Sequence, residues 1–328
     1  MARGKTSRRH RIQSALALLM LAPLYACRPE QSVLHPAGVD AVAQAELFWF
    51  MAIAGAVIWC IVMGVAIYAV LGRRRPWTER FADRFIFFGG VAFPTVTLAL
   101  LLVFGLALLP DWAETEQADL RVHVTGEQFW WRLGYELRDG TRVETANELH
   151  LPAGATVEFL LGSTDVIHSF WIPALGGKMD AIPGRINTLR LTPTEPGTYR
   201  GVCAEFCGAS HALMAFPVVV HTPDAFQSWL AQEQASASPA GSTAFVAAGC
   251  GACHVVRGVS TAGSVGPDLT HLASRRTIAA GTLPNTRENL AAWLAAPDHI
   301  KPDARMPSFA VLPDTERDAI VAYLLELK

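Results

Sequence analysis

Two uncharged apolar runs constrain this chain more than any other feature. Residues 46–71 and 85–109 each contain no Asp, Glu, Lys or Arg beyond the Glu that opens the first, and each exceeds the roughly 20 residues needed to cross a hydrocarbon core. Hydrocarbon offers no partner to backbone N–H and C=O groups, so a single apolar run can cross only as a helix. Neither run has the polar face that a core helix of a soluble protein keeps toward water. Arg73, Arg74, Arg75, Arg80 and Arg84 lie between them, and a loop this basic stays on the cytoplasmic side. Residues 111–328 are therefore expected outside. Pro94 inside the second run is tolerated where a neighbouring helix supplies packing, which points to a larger membrane partner. The overall balance fits this class: 51% of the 328 residues are hydrophobic and mean hydropathy is +0.27, too apolar for an ordinary soluble protein. No nucleic-acid partner is expected.

Residues 1–27 read as a secretory signal. Arg3, Lys5, Arg8, Arg9 and Arg11 precede a short apolar stretch at 12–22, too short to span comfortably. Leu24-Tyr25-Ala26-Cys27 resembles a lipoprotein cleavage site with an unusual Tyr25, and Cys27 would then be acylated. A simple cleaved signal and an uncleaved stub are the alternatives. With residues 28–110 as a hairpin of two spans, the chain reads as a multi-pass protein of a bacterial inner membrane with its C-terminal domains on the periplasmic side.

From residue 120 the pattern changes. Apolar and polar residues alternate at 120–124, 155–160 and 187–191, Pro and Gly interrupt at 151–154 and 195–197, and 217–220 is a further strand candidate. Such short alternating segments predict an all-β sandwich or barrel over 111–231. Residues 232–243 form a small, polar linker with a reach of roughly 20 Å, which would hold the last module, 244–328, at a local concentration on the order of millimolar. Helices are expected there at 244–249, 287–295 and 314–327. Residues 111–225 hold fifteen acids against eight bases, whereas 244–328 hold eight of each. The middle domain should thus attract a cationic partner, and the tethered module should dock more by apolar contact than by charge.

Two motifs carry the chemistry. C-A-E-F-C-G-A-S-H-A-L-M at 203–214 places two thiols, an imidazole and a thioether in one loop, with His168 upstream as a possible further ligand. Paired cysteines outside the membrane usually form a disulfide, which remains an alternative for Cys203 and Cys207. Thiolate, thioether and imidazole together suit copper; the donors exceed the needs of one ion, and two bridging thiolates can hold two. C-G-A-C-H at 250–254 is the attachment signal of a c-type haem. Cys250 and Cys253 would bind the porphyrin, His254 would ligate iron, and Met306 in A-R-M-P is the candidate sixth ligand. His271 and His299 are alternatives for that sixth position, and a disulfide or zinc hairpin is the alternative for C-G-A-C-H. Copper and haem on one chain imply one-electron transfer. His10, His35, His123, His150 and His221 carry no assigned role, and Cys60 reads as a buried inert thiol.

D-V-I-H-S-F-W-I-P at 165–173 together with the 203–214 motif resembles subunit II of the haem–copper cytochrome c oxidases, over about residues 30–225. G-P-D-L at 266–269 and the Pro-flanked Met306 resemble a class I cytochrome c. The resemblance implies a multidomain membrane protein: a two-helix transmembrane hairpin, an all-β cupredoxin-like sandwich and a C-terminal all-α cytochrome c domain. It implies a dinuclear CuA centre held by His168, Cys203, Cys207, His211, Met214 and the backbone carbonyl of Glu205. The Glu205 carboxylate would reach toward a magnesium ion at the interface with subunit I, with Asp180 and Arg185 nearby. Phe129, Trp130 and Trp131 match an electron-transferring aromatic patch over the copper, although many members have Trp where this chain has Phe129. Many members also carry a Glu near the start of the second span; here the register, around Phe87, holds no acid, and Glu79 and Asp83 lie out of step.

The implied role is the electron-input subunit of a cytochrome-c oxidase. Electrons pass from the c-type haem through CuA to subunit I, where oxygen is reduced to water coupled to proton translocation; no catalytic residue lies on this chain. A CuA-containing nitric oxide reductase is the alternative, and a metal-binding carrier or assembly factor is a further class. A quinol oxidase subunit would have no use for Cys203, Cys207 and His168. Implied partners are subunit I, subunit III, an external cytochrome c or other donor, and membrane lipid.

Overall fold

The computed structural model describes residues 29–72, 78–107, 118–237 and 242–328. The expected signal, Cys27 and Arg73 to Arg75 lie outside them. The first span is a single helix, Val39–Leu71, which starts earlier than the apolar run because its first turn grows from the outer domain: Val39 N–H donates to the Thr192 carbonyl and Ala37 N–H to that of Ala174. Cys60 is exposed on the side of this helix rather than buried. The second span runs over Glu79–Ala107 within the described residues, with a π turn at Phe88–Ala92. Pro94 explains the wider turn. It has no N–H for the carbonyl of Gly90, and its ring would strike that carbonyl in a regular helix, so the backbone opens by one residue just before it. The Thr95 hydroxyl donates to the Val91 carbonyl at 2.7 Å in the same stretch. Both spans qualify in length and composition to cross a bilayer, and their most apolar windows bury no residue within the protein.

The outer domain is a sandwich of two five-stranded sheets. One has the order β3-β2-β1-β5-β8, the other β4-β10-β9-β6-β7. In chain order the strands are β1 Leu120–Glu127, β2 Trp130–Glu136, β3 Arg142–Ala146, β4 Leu149–Pro152, β5 Val157–Ser163, β6 His168–Trp171, β7 Met179–Ala181, β8 Asn187–Leu191, β9 Gly197–Cys203 and β10 Ala215–His221. β1 runs parallel to β5 and β10 parallel to β4; the other pairs are antiparallel. This is the cupredoxin-like arrangement.

Period-two alternation builds the core. β2 turns Trp131, Leu133 and Tyr135 inward, all fully buried, as a strand buried on one face must. Trp131 meets Phe170 and Phe216 edge-on, and Phe170 stacks on Phe216 with centroids 4.9 Å apart. Phe216 stands opposite Gly201 across the β9–β10 ladder, and any Cβ at Gly201 would enter its ring. The helix Pro223–Gln234 adds Phe226 and Leu230 to this core.

The C-terminal module packs helices Ser242–Ala247, Arg287–Ala295 and Asp314–Leu324 around Phe245, Leu290, Leu294, Ile320 and Tyr323. The first helix stops short of Gly249, whose φ of 75° lies in the left-handed region that favours glycine. The last ends three residues before the expected 327. The linker also differs from expectation. Its first residues belong to Pro223–Gln234, Arg257 donates to the Glu233 carbonyl, His271 Nε2 donates to that of Ala235, and Ala237 is buried in the module's core. The described part of the tether is thus bonded to the module rather than loose.

Phe216→Ala empties a pocket that two other rings share. It should cost about 3–5 kcal/mol of stability, read as a lowered midpoint in denaturant unfolding of the outer domains followed by tryptophan fluorescence.

Candidate functional site

One end of the second sheet collects the sulfur and nitrogen donors. β6 begins with His168 and β9 ends with Cys203, and the pairing of Phe170 with Cys203 sets both at the same end. The chain then loops through 204–214 and returns as β10. Cys203 N–H donates to the Met214 carbonyl and Ala204 N–H to that of Ser169, which clamps both ends of the loop. Within it, the Cys203 and Cys207 sulfurs are 3.9 Å apart as free thiols, so the disulfide alternative is not formed. His168 Nδ1 lies 3.8 Å from Cys203 Sγ, His211 Nδ1 3.6 Å from Cys207 Sγ, and Met214 Sδ 3.9 Å from Cys207 Sγ. The Glu205 carbonyl oxygen is 3.2 Å from Cys203 Sγ. His168 and Met214 are fully buried, and both cysteines nearly so.

Hydrogen bonding selects which nitrogen faces the sulfurs. His168 Nε2–H donates to Asp165 Oδ1 at 2.9 Å, which leaves Nδ1 as the basic nitrogen beside Cys203; a carboxylate behind an imidazole orients it and raises its basicity. The shared hydrogen bond from Cys207 pushes the Cys203 thiol down to about 3, against desolvation, with His168 adding to the effect. The thiolate is the form that binds a metal. Two soft sulfurs, two imidazoles, a thioether and a carbonyl converging in a dry pocket fit copper.

The neighbouring expectations fall out unevenly. Asp180 is on β7 beside the His168 strand, and its backbone carbonyl accepts from Asn187. Arg185 and the Glu205 side chain are exposed. Among the described residues no ion pair joins any of these three. The aromatic run divides in two. Trp131 points inward and meets the His168 ring edge-on at 5.8 Å, whereas Phe129 and Trp130 line a cavity of about 440 Å³ on the side of the C-terminal module.

That cavity is where C-G-A-C-H leads. Cys250, Cys253, His254 and Met306 all line it, inside a wall of apolar side chains. His254 Nδ1–H donates to the Pro267 carbonyl at 2.8 Å, which leaves Nε2 free to ligate. Gly266 must lack a side chain, since a Cβ there would sit 2.5 Å from the His254 ring. Two thiols, an imidazole with a fixed tautomer and a thioether around one apolar cavity fit a c-type haem. His271 is committed to the Ala235 carbonyl, and neither it nor His299 lines the cavity.

The module contacts the β-sandwich through polar bonds that charge counting did not foresee. Arg305 pairs with Asp165 at 3.3 Å, Lys301 Nζ donates to the Leu213 carbonyl at 3.1 Å, and the Ser210 hydroxyl donates to the Pro302 carbonyl at 2.6 Å. Arg276 N–H donates to Glu148 at 2.8 Å and its guanidinium to Thr198 at 2.9 Å, while Arg132 donates to the Ser264 carbonyl. Apolar docking is therefore corrected. The module's eight bases and eight acids balance in sum, but several of its bases face the acidic domain. The available signal was local: Lys301 and Arg305 flank the approach to Met306.

A Cβ at Gly126 would lie 2.6 Å from the His168 ring. Gly126→Ala should therefore displace that imidazole and lower copper retention by about 10–100-fold, measured by metal analysis, with haem content unchanged.

Two family descriptions match the chain: "Cytochrome C oxidase subunit II, periplasmic domain" over residues 136–222, and "Cytochrome c" over residues 238–328. Cytochrome c oxidase subunit 2 of Alkalihalophilus pseudofirmus is 39% identical over 214 residues, 63% of this chain and 61% of that protein, so this alignment spans about three fifths of the relative. Cytochrome c oxidase subunit 2 of Bacillus subtilis is 30% identical over 348 residues, 95% of this chain and 97% of its own length. The crystal structure of the periplasmic domain of cytochrome oxidase subunit II from Bradyrhizobium japonicum aligns at 31% identity, covering 37% of this chain and 97% of that one, with a TM-score of 0.35. With a relative matched from end to end, and with both domain types in the same order, the chain belongs to the cytochrome c oxidase subunit 2 family, in the form that carries a C-terminal cytochrome c domain.

Proposed function

We propose that the chain is the electron-input subunit of a proton-translocating terminal oxidase that reduces oxygen to water. One observation carries the reading: residues 127–130 form a wall of the haem cavity while holding the copper loop. Phe129 and Trp130 line the cavity, and Gln128 between Glu127 and Phe129 donates from its side chain to the Cys207 carbonyl at 2.5 Å. The two candidate metal sites therefore share a support, as donor and acceptor in an electron relay require.

His168, Cys203, Cys207, His211 and Met214, with the Glu205 carbonyl, would hold the copper pair. Cys250 and Cys253 would bind the haem covalently, with His254 and Met306 as axial ligands. One-electron exchange is the chemistry these groups supply when bound. The chain's own contribution is rigidity and dryness: His168, Cys203, Cys207 and Met214 are buried, and His168 and His254 are held by a carboxylate and a backbone carbonyl, so they need move little when charge changes. Phe129, Trp130 and Trp131 supply aromatic side chains between the cavity and His168. The exposed carboxylate of Glu205 would reach a magnesium ion at the interface with subunit I. Subunit III and an external cytochrome c or similar donor complete the assembly, in a bacterial inner membrane with these domains on the periplasmic side. Acylation of Cys27 remains part of this reading. Family membership does not favour the nitric oxide reductase alternative; purified complex should consume oxygen, and nitric oxide consumption alone would reject the oxidase role.

Cys207→Ser should leave the haem reducible by an added donor while oxygen uptake falls to background in an oxygen electrode; normal uptake would defeat the copper assignment. Met306→Ala should lower the haem potential and open the iron to carbon monoxide. An unchanged optical spectrum with carbon monoxide present would point to another sixth ligand.

A further inference from the structure

Lys301 is the one residue of the haem module whose charge is buried against the copper loop. It follows the short helix Pro297–Ile300, with its N–H donating to the Pro297 carbonyl, and only 3% of it is exposed. Its ammonium donates to two backbone carbonyls, Leu213 and Ala279, each at 3.1 Å. Leu213 lies between His211 and Met214, both candidate copper ligands. Among the described residues no carboxylate comes within ion-pair distance of Lys301. Arg305, the other cation of this segment, is paired with Asp165 and so adds little net charge.

A buried ammonium without a counter-ion is costly, and carbonyls satisfy its protons without cancelling its charge. Burial pulls the Lys301 pKa down to about 7. An apolar side chain of the same length would fill the position at lower cost. A lysine here is thus better explained by its charge than by its packing.

We propose that Lys301 tunes the copper pair from the haem module: its buried positive charge raises the pair's reduction potential when the module is docked. The step is a one-electron reduction. The electron would come from the haem and leave the copper site less positive by one charge. In its protonated form Lys301 stabilises that lower-charge state, and does so more strongly in a dry interior than in water. Docking would then both bring the donor close and make the acceptor more willing, with both effects lost if the module swings away. The proposal rests on the reading of 203–214 as a copper site.

The test is a spectroelectrochemical titration of the intact complex. The near-infrared band of the copper pair and the visible band of the haem are followed separately, in the native protein, Lys301→Met, Lys301→Gln and Lys301→Arg. In the Met and Gln variants the ratio of reduced to oxidised copper at a fixed potential should fall about tenfold, a shift of about 59 mV for a one-electron couple, with the haem unmoved. Lys301→Arg should keep the native value. An unchanged copper potential in Lys301→Met and Lys301→Gln, or a fall in Lys301→Arg equal to theirs, overturns the proposal. Absence of the mixed-valence copper signal from the native complex overturns the copper reading itself.

Discussion

The Asp165 carboxylate is the joint on which the outer domains depend. It accepts from the Gln128 backbone N–H at 2.8 Å, from His168 at 2.9 Å and from Arg305 at 3.3 Å. Burial opposes its ionisation, yet the donors at Gln128, His168 and Val166 hold it below the usual carboxylate range. One charge thus orients a candidate copper ligand, ties down the strand connection that carries the aromatic run, and anchors the segment before Met306. A part-buried carboxylate with several donors is a rigid object, since breaking any bond leaves a partly desolvated charge less well met.

Rigidity continues outward from there. The donor loop is closed at both ends by backbone bonds to β6 and β10, and those strands sit on the packed rings of Trp131, Phe170 and Phe216. Electron transfer favours a site that keeps its shape between oxidation states, and close packing is how a protein enforces that. The module is held in the same spirit. Its contacts to the sandwich run from Ser264 to Arg305 rather than through a single patch, and the described part of the tether is bonded to it.

Much of the candidate site was legible in the sequence because its donors are clustered. Five of the proposed copper donors fall within 203–214 and three of the proposed haem-binding residues within 250–254, so short loops hold them whatever the rest of the chain does. The expected strands at 120–124 and 187–191 also stand, since period-two alternation reflects one buried face. The histidines left without a role were different. His150 Nδ1 and His221 Nε2 lie 2.7 Å apart, with His150 stacked flat on Trp229 and bonded to Glu148. Residues 150 and 221 become neighbours only through the parallel pairing of β4 and β10, which no local pattern announces. The same holds for the contact of Trp131 with the His168 ring.

What the sequence by itself determined is the list of parts: two spans, a β domain, a cytochrome c module, and two short motifs with metal-ligating residues. These are properties of hydrophobicity, periodicity and spacing, which act over a few residues. What only the tertiary structure decided is how the parts face each other. The Arg305–Asp165 pair, the burial of Lys301 behind Leu213 and the cavity wall made by Phe129 and Trp130 join segments more than eighty residues apart. Balanced charge over the module concealed that several of its bases share a docking face, because a sum over sequence carries no information about direction.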